Sequence, residues 1–236
     1  NKDQIFVGVG SDDVLAMAFL TFFNSDKPIL FPDITYSFYS VWADLYRIPY
    51  KRPALDEQFR IRKEDYDQEN GGVIFPNPNA PTSLALGIRD VEDIIARNQD
   101  VIVIVDEAYI DFGGESALPL IEKYDNLLVV QTFPQSRSYT MNLPSLILGT
   151  EAVKDEAYFQ ETVGKIKETR ERAKERLTRL GFTYPEPSAN FIFATRPGTD
   201  AKTLFEALKE ESIYVRYFDA PRISQYLRIT IGTDEQ

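Results

Sequence analysis

The stretch VIVIVDEAYIDF, Val101 to Phe112, joins five consecutive aliphatic residues to the carboxylates of Asp106 and Glu107 and the phenol of Tyr109. An unbroken apolar run is typical of a strand covered on both faces, as in a parallel sheet flanked by helices. In such sheets ligands bind just beyond the carboxyl ends of the strands. The stretch therefore predicts a buried strand that delivers Asp106 and Tyr109 to a binding crevice. As an isolated motif, Asp106 is equally consistent with a helix N-cap or a turn.

Other apolar runs alternate with helical patterns along the first 150 residues. Strands are predicted at 4–10, at 28–32, near Tyr50, within 71–83, at 101–105 and at 126–133, and helices at 13–23, 37–45 and 91–98. This alternation favours an α/β fold with a mostly parallel sheet and helices on both faces. The strand ends at 8–12, 77–82 and 132–138 carry small or polar residues, and we expect them to meet Asp106 at one crevice.

The pattern changes after Pro144. From Val153 to Leu180 apolar residues recur with helical spacing over a heavily charged face, and Gly181 ends the pattern. Beyond this long helix, the segments NFIFATR, TDAKTLFEALKEE, IYVRYF and YLRITIG alternate strand and helix again. We therefore expect a large domain over 1–150 and a smaller C-terminal α/β domain over 151–236.

Composition restricts the possible chemistry. The chain has 236 residues, a formal charge of -11 and only 26 Lys plus Arg, which argues against a nucleic-acid partner. It has no cysteine and no histidine, so thiol chemistry and the commonest metal ligand are absent and no metal site is expected. No run approaches eighteen apolar residues, and NKDQIF lacks a signal-peptide layout, so we expect a soluble, cytoplasmic protein without a membrane partner.

Seven segments, in this order along nearly the whole chain, resemble the fold-type I aminotransferases that use pyridoxal 5'-phosphate (PLP), and within them the histidinol-phosphate aminotransferases. Each fragment alone is a weak signal, whereas their common order is specific. The segments are VGVGSDDVLAMAF, FPDITYSFY, NPNAPTS, VIVDEAYIDF, NLLVVQTFPQSRS, ANFIFA and YLRITIGT.

The resemblance implies a role for each polar residue near the crevice. Asp106 would pair with the protonated pyridine nitrogen of PLP, which keeps the ring able to accept electrons. Tyr109 resembles the phenol that hydrogen-bonds the 3'-oxygen, and Tyr36 the aromatic residue that stacks on the pyridine ring. Without the motif order, Tyr36 would be interpreted as a core residue.

The remaining cofactor contacts are implied in the same way. Gly10, Ser11 and Asp12 open a helix whose backbone N–H groups suit the cofactor phosphate, although a generic capped turn is the alternative. Asn79 and Thr132 occupy further cofactor-binding positions, but the family often has asparagine where this chain has Ala80.

Three residues resemble the family's substrate contacts. Arg228 in YLRITIG matches the arginine that binds the substrate α-carboxylate, for which a planar guanidinium is suited. An exposed arginine on a strand is the alternative. Asn190 matches an asparagine near that carboxylate, and Arg216 is a further candidate for substrate recognition.

The chain departs from the family at the reactive lysine. Where the family has Thr-Phe-Ser-Lys-Ser-Arg-Ser, residues 132–138 read TFPQSRS. Gln135 occupies the position of the Schiff-base lysine, and an amide can neither form that bond nor shuttle the proton. Pro134 replaces a phosphate-binding serine. Ser138 runs directly into Tyr139, which indicates that a segment of the family pattern is missing there, and the chain also starts inside that pattern.

These observations favour a PLP-dependent aminotransferase that exchanges an amino group between histidinol phosphate or imidazole-acetol phosphate and glutamate or 2-oxoglutarate. The resemblance also implies a homodimer. The alternatives are an aromatic amino acid aminotransferase, a phosphothreonine decarboxylase-like enzyme, or a catalytically silent PLP-fold binding protein, which Gln135 favours. A nucleotide-binding protein that uses GVGSDD fits less well, because GVGSDD lacks a full GxGxxG.

Overall fold

A computed structural model of the chain describes residues 2–132 and 143–234. Its main sheet has five parallel strands in the order β2-β1-β3-β4-β5, which confirms the predicted α/β class. The strands are β1 (Ile29–Leu30), β2 (Tyr50–Lys51), β3 (Val73–Pro76), β4 (Val103–Asp106) and β5 (Leu127–Val130).

Helices cover both faces of this sheet. They are α1 (Ser11–Phe22), α2 (Phe38–Tyr46) and α3 (Ile88–Arg97), with short 3-10 helices at Lys2–Gln4, Lys63–Tyr66, Ile110–Phe112 and Leu118–Glu122. Ile74 and Ile104 pack with α1 and α2 on one face, while their strand neighbours pack with α3 on the other. Successive strand residues point to opposite faces. Because both faces are buried, every residue of β3 and β4 is buried, and this explains the unbroken apolar run.

A second, smaller sheet lies in the C-terminal part. It is antiparallel, in the order β6-β8-β7, with strands β6 (Phe191–Ala194), β7 (Arg216–Tyr217) and β8 (Leu227–Thr230). The helices are α4 (Leu143–Lys154), α5 (Glu156–Arg179) and α6 (Ala201–Glu210). The single long helix predicted from Val153 is therefore divided. Asp155 separates α4 from α5, and its carboxylate accepts a hydrogen bond from the Tyr158 N–H at 3.2 Å, as an N-cap does.

Buried contacts join the second sheet to the loops at the carboxyl end of the main sheet. Phe193 and Ile223 pack with three residues that follow the first two strands, namely Ile34, Leu55 and Phe59. Arg222 adds a polar contact, because its Nη1 lies 3.2 Å from Asp33 Oδ2. The two sheets thus meet at the edge where we expected the crevice.

The strand predicted at 4–10 is wrong. Residues Lys2–Gln4 form a 3-10 helix, and Ile5, Phe6 and Val7 are between 59% and 68% exposed. None of the strands in the described part of the chain pairs with this segment. Alternating apolar residues show that a segment can form a strand, but a strand also needs a neighbour to pair with. Within residues 2–132 and 143–234, no helix has the length and apolarity needed to cross a membrane.

Candidate active site

A cavity of about 240 Å³ opens at the carboxyl edge of the main sheet. Seven of the residues that line it are site residues predicted from the sequence: Ser11, Asp12, Tyr36, Asp106, Tyr109, Thr132 and Asn190. Pro76, Ala80, Ala108 and Phe112 complete the lining. The structure therefore brings the ends of three main-sheet strands, the start of α1 and the second sheet to one place.

Asp106 is the last residue of β4 and is only 4% exposed. Its Oδ2 accepts a hydrogen bond from the Tyr39 hydroxyl at 2.7 Å, and its Oδ1 accepts one from the Ala108 N–H at 3.2 Å. Burial raises the pKa of the Asp106 carboxyl to about 6, and these two hydrogen bonds oppose the rise. None of the described basic residues forms an ion pair with it. The carboxylate can therefore accept a cationic ligand group.

The amino terminus of α1 forms a second part of the cavity. Gly10 precedes the helix with φ of 100°, a conformation that favours glycine, and its carbonyl accepts the first helical hydrogen bond, from Val14. The N–H groups of the first turn have no acceptor inside the helix, and the helix dipole adds positive potential there. The Asp12 carboxylate accepts a hydrogen bond from the Tyr36 hydroxyl at 2.8 Å. This helix start can bind an anion such as a phosphate.

Aromatic rings form the walls of the cavity. The Tyr36 ring stacks on Phe38 at a centroid distance of 5.7 Å, and the Tyr109 ring meets Phe191 edge-on at 5.1 Å. Burial raises the pKa of both phenols; the bond to Asp12 raises that of Tyr36 further, whereas nearby Arg228 lowers that of Tyr109. Both phenols are neutral at physiological pH, so each can donate a hydrogen bond.

Arg228 lies on β8, beside Tyr109. Its guanidinium stands 5.0 Å over the Phe191 ring, and its buried Nε has no hydrogen-bond partner among the described residues. A buried N–H without a partner costs free energy, so a ligand that supplies an acceptor would be favoured. Arg216 lies opposite Arg228 in the β7–β8 register but is exposed, with its guanidinium 5.7 Å over Phe218.

Four of the predicted site residues that the structure describes do not line the cavity: Gly10, Asn79, Arg216 and Arg228. Asn79 does not line it; its buried Nδ2 donates to the Ile34 carbonyl at 3.1 Å and to Thr82 Oγ1 at 2.9 Å, so the side chain is used within its own loop. Ala80 lines the cavity instead. Gln135, Pro134 and the junction between Ser138 and Tyr139 lie outside the described residues.

Sequence reasoning missed several supporting residues. Tyr39 bonds Asp106, and Arg170 on α5 donates from Nη1 to the carbonyls of Phe112 and Ala189, both at 2.9 Å. The Glu107 carboxylate accepts hydrogen bonds from the Ser116 hydroxyl, the Ala117 N–H and the Gln131 side chain. These bonds hold the loop after β4 in place. Only Tyr39 had a sequence signal, since it follows Tyr36 within the quoted segment FPDITYSFY.

Comparison with known families gives one match over the whole chain. The family described as aminotransferase class I and II matches residues 1–141 and 134–236. The two matched parts overlap over residues 134–141, which include the junction of Ser138 and Tyr139.

Curated relatives share nearly half of the sequence. The histidinol-phosphate aminotransferase of Lactococcus lactis subsp. cremoris (strain MG1363) is 47% identical over 264 residues, covering 100% of this chain and 74% of that protein. The enzyme of the same name from Acinetobacter baylyi is 46% identical over 262 residues, covering 99% of this chain and 73% of that protein. The first alignment is 28 positions longer than the 236 residues of this chain.

Solved structures share the fold at lower identity. The histidinol-phosphate aminotransferase from Clostridium acetobutylicum matches with a TM-score of 0.86 at 21% identity, over 97% of this chain and 78% of that chain. The one from Sinorhizobium meliloti, solved in complex with pyridoxal-5'-phosphate, matches with a TM-score of 0.80 at 18% identity, over 96% of this chain and 72% of that chain.

Proposed function

Because the chain belongs to the class I and II aminotransferases, and within them to the histidinol-phosphate aminotransferase family, we propose that it is a PLP-dependent transaminase scaffold of histidine biosynthesis. Its substrates would be histidinol phosphate or imidazole-acetol phosphate, with glutamate or 2-oxoglutarate. The observation that carries this proposal is the placement of Asp106, a buried carboxylate with no ion-pair partner among the described residues, in the lining of a cavity at the start of α1.

The residues that line the cavity support PLP as its ligand. Asp106 would hold the protonated pyridine nitrogen, and the first-turn N–H groups at Ser11 and Asp12 would bind the phosphate. Tyr36 would face the ring and Tyr109 would donate to the 3'-oxygen. When bound, PLP supplies an electron sink for the carbon that loses a proton.

The second sheet would supply substrate recognition. Arg228 would donate two parallel hydrogen bonds to a substrate carboxylate, and its buried, unpartnered Nε supports this role. Asn190 lines the cavity, and Arg216, exposed on the strand next to Arg228, suits a second anionic group such as the substrate phosphate. The aromatic walls would limit access of water, which strengthens these charge interactions.

Gln135 favours a second candidate function, a PLP-fold protein that binds the cofactor without turnover. In either case we propose that a segment near residues 134–141 is missing from this chain and that the chain divides at about residue 150. The missing segment is supported by the two family matches, which overlap at 134–141, and by the 28 additional alignment positions. The separate second sheet supports the division.

Assembly and location complete the proposal. The outer faces of α1 and α2 expose Met17, Leu20, Phe38, Val41 and Leu45, all at least 44% exposed, and a face of this kind is typical of a subunit interface. We therefore propose a homodimer. We place it in the cytoplasm because the proposed substrates are phosphate monoesters, which do not cross membranes unaided.

The substitution Gln135→Lys tests the cofactor proposal. In a chain that also carries a relative's segment between Ser138 and Tyr139, an amine would lie near the cofactor aldehyde at high effective concentration. After incubation with PLP and borohydride reduction, we expect mass spectrometry to find a phosphopyridoxyl group at position 135. The control is the same chain with Gln135 retained, which should gain none. If the substituted chain gains none either, the alignment through TFPQSRS is wrong.

A further inference from the structure

Within residues 2–132 and 143–234, two hydrogen-bond donors hold the Asp106 carboxylate, and one of them is the side chain of Tyr39. Resting on the proposed function, we propose that Tyr39 is a positioning residue whose hydroxyl fixes the orientation of Asp106 and keeps it anionic for the cofactor's ring nitrogen. Tyr39 does not line the cavity, so it acts through Asp106.

The Tyr39 side chain is rigidly held. It is 0% exposed, and its ring contacts Phe19, Phe31, Tyr36 and Trp42 at centroid distances from 5.8 to 6.3 Å. The 2.7 Å bond from its hydroxyl to Oδ2 spans 67 residues of sequence, from the start of α2 to the end of β4. With the Ala108 N–H on the other oxygen, the plane of the carboxylate is fixed before any ligand binds.

The surrounding charges make this donor necessary. In the described part of the chain, the charged groups that face Asp106 include Asp12 from α1 and Glu107 from the loop after β4, and both disfavour its ionised form, as burial does. Tyr36 and Tyr109 are neutral phenols nearby. The Tyr39 hydroxyl and the Ala108 N–H oppose this rise by lowering the pKa of Asp106. Loss of the hydroxyl would therefore raise it further.

Tyr66 provides a matched control within the same chain. It is as deeply buried, at 1% exposed, but its hydroxyl has no hydrogen-bond partner among the described residues. The substitutions Tyr39→Phe and Tyr66→Phe remove the same atom from similar surroundings. A purely structural role of the ring would make them equivalent.

The first measurement needs no ligand. Asp106 binds its proton more tightly in the folded chain, with a pKa of about 6, than in the unfolded chain, at 3.8. Its contribution to stability is therefore complete below the lower value and is lost as pH rises through the higher one. The difference in unfolding free energy between each chain and the same chain with Asp106→Asn isolates this contribution.

For the natural sequence and for Tyr66→Phe, we expect the stability contribution of Asp106 to be fully lost just above pH 6. For Tyr39→Phe we expect this loss to end about one pH unit higher, as the loss of one charge-assisted hydrogen bond implies. If Tyr39→Phe is too unstable to measure near neutral pH, acidification to about pH 5 should restore its fold, because Asp106 is then neutral. An unchanged end point, an equal shift in Tyr66→Phe, or no rescue by acid would overturn the proposal.

The second measurement separates this proposal from the proposed function. The probe is 4-deoxypyridoxine 5'-phosphate, which has no aldehyde, with affinity followed by equilibrium dialysis as a function of pH. The phosphate of the probe titrates near pH 6 and contributes to the pH dependence of affinity in every variant. Because Asp106→Asn lacks the carboxyl, its pH profile gives this phosphate contribution alone. We expect Tyr39→Phe to move the remaining acid-side loss of affinity upward by about one pH unit. Equal weakening at all pH values would reduce Tyr39 to a packing role, whereas affinity indifferent to Asp106→Asn would overturn the proposed function itself.

Discussion

At the scale of single residues, Arg228 and Asp106 carry opposite charges that the described residues leave without an ion-pair partner. Asp106 is buried and Arg228 is partly buried. Both lie close to Tyr109, because the charge of each shifts the pKa of the Tyr109 phenol. Unpaired buried charges are costly in a protein that binds nothing. Asp106 lines the cavity and Arg228 lies close to the lining residue Tyr109, an arrangement that suits a ligand with a cationic ring nitrogen and a separate carboxylate.

The substitution Arg228→Lys should weaken carboxylate binding without affecting cofactor binding. A point charge replaces a planar donor pair, so we expect the Kd for maleate, measured by calorimetry with 4-deoxypyridoxine 5'-phosphate bound, to rise at least about tenfold. The Kd for the cofactor analogue should change less than about twofold. Arg179→Lys, at an exposed ion pair, is the control. Equal losses for maleate and for the analogue would place Arg228 elsewhere.

The sequence predicted the lining residues better than the residues that support them. Asp106, Tyr36 and Asn190 stand in motifs with a fixed order, so their convergence could be expected. Tyr39 could not be distinguished from Tyr66, because a buried phenol that donates to a carboxylate and one without a partner have the same local pattern. Ala80 lines the cavity where Asn79 was expected, because the geometry of this loop decides which side chain faces the cavity. The spacing of motifs along the sequence does not determine that geometry.

At the scale of helices and strands, elements with a clear hydrophobic pattern formed where we expected. The prediction failed at residues 4–10, where a strand requires a partner that the pattern cannot supply, and at Asp155, where a capping carboxylate interrupts a continuous apolar stripe. The antiparallel pairing of β6, β8 and β7 was not specified either, since strand direction depends on the path of the connections.

The exposed face shared by α1 and α2 gives a prediction about assembly. Val41 and Leu45 lie one turn apart on α2 and are 49% and 68% exposed. If this face is the dimer interface, Leu45→Glu would bury an unpaired charge and shift the chain toward monomer in sedimentation velocity. Leu180→Glu, at a similarly exposed leucine beyond α5, is the control and should leave the dimer intact. An association free energy of about 7 kcal/mol would give a dimer at chain concentrations of tens of micromolar. A chain of natural sequence that is monomeric at these concentrations would count against the interface.

At the scale of the whole molecule, the cavity depends on how the two sheets meet. The main sheet and α1 supply Asp106, Ser11 and Asp12 to the lining, and Asn190 lies directly before β6 of the second sheet. Arg228 of β8 lies close to the lining residue Tyr109. Arg170 joins the two parts of the site, because its guanidinium bonds the carbonyls of Phe112, in the lining, and of Ala189, next to Asn190. Cofactor-binding and carboxylate-binding groups are therefore held in one arrangement by contacts that lie far apart in sequence.

The most direct test of this account is a crystal structure of the chain with 4-deoxypyridoxine 5'-phosphate. We expect the ring nitrogen within hydrogen-bond distance of the Asp106 carboxylate, the phosphate at the first turn of α1, and the Tyr36 ring against the pyridine face. Such a result would establish the cofactor site independently of position 135. Ligand density at the opposite edge of the sheet, in the cavity of about 490 Å³ beside Lys27 and Arg97, or a ring nitrogen directed away from Asp106, would contradict it.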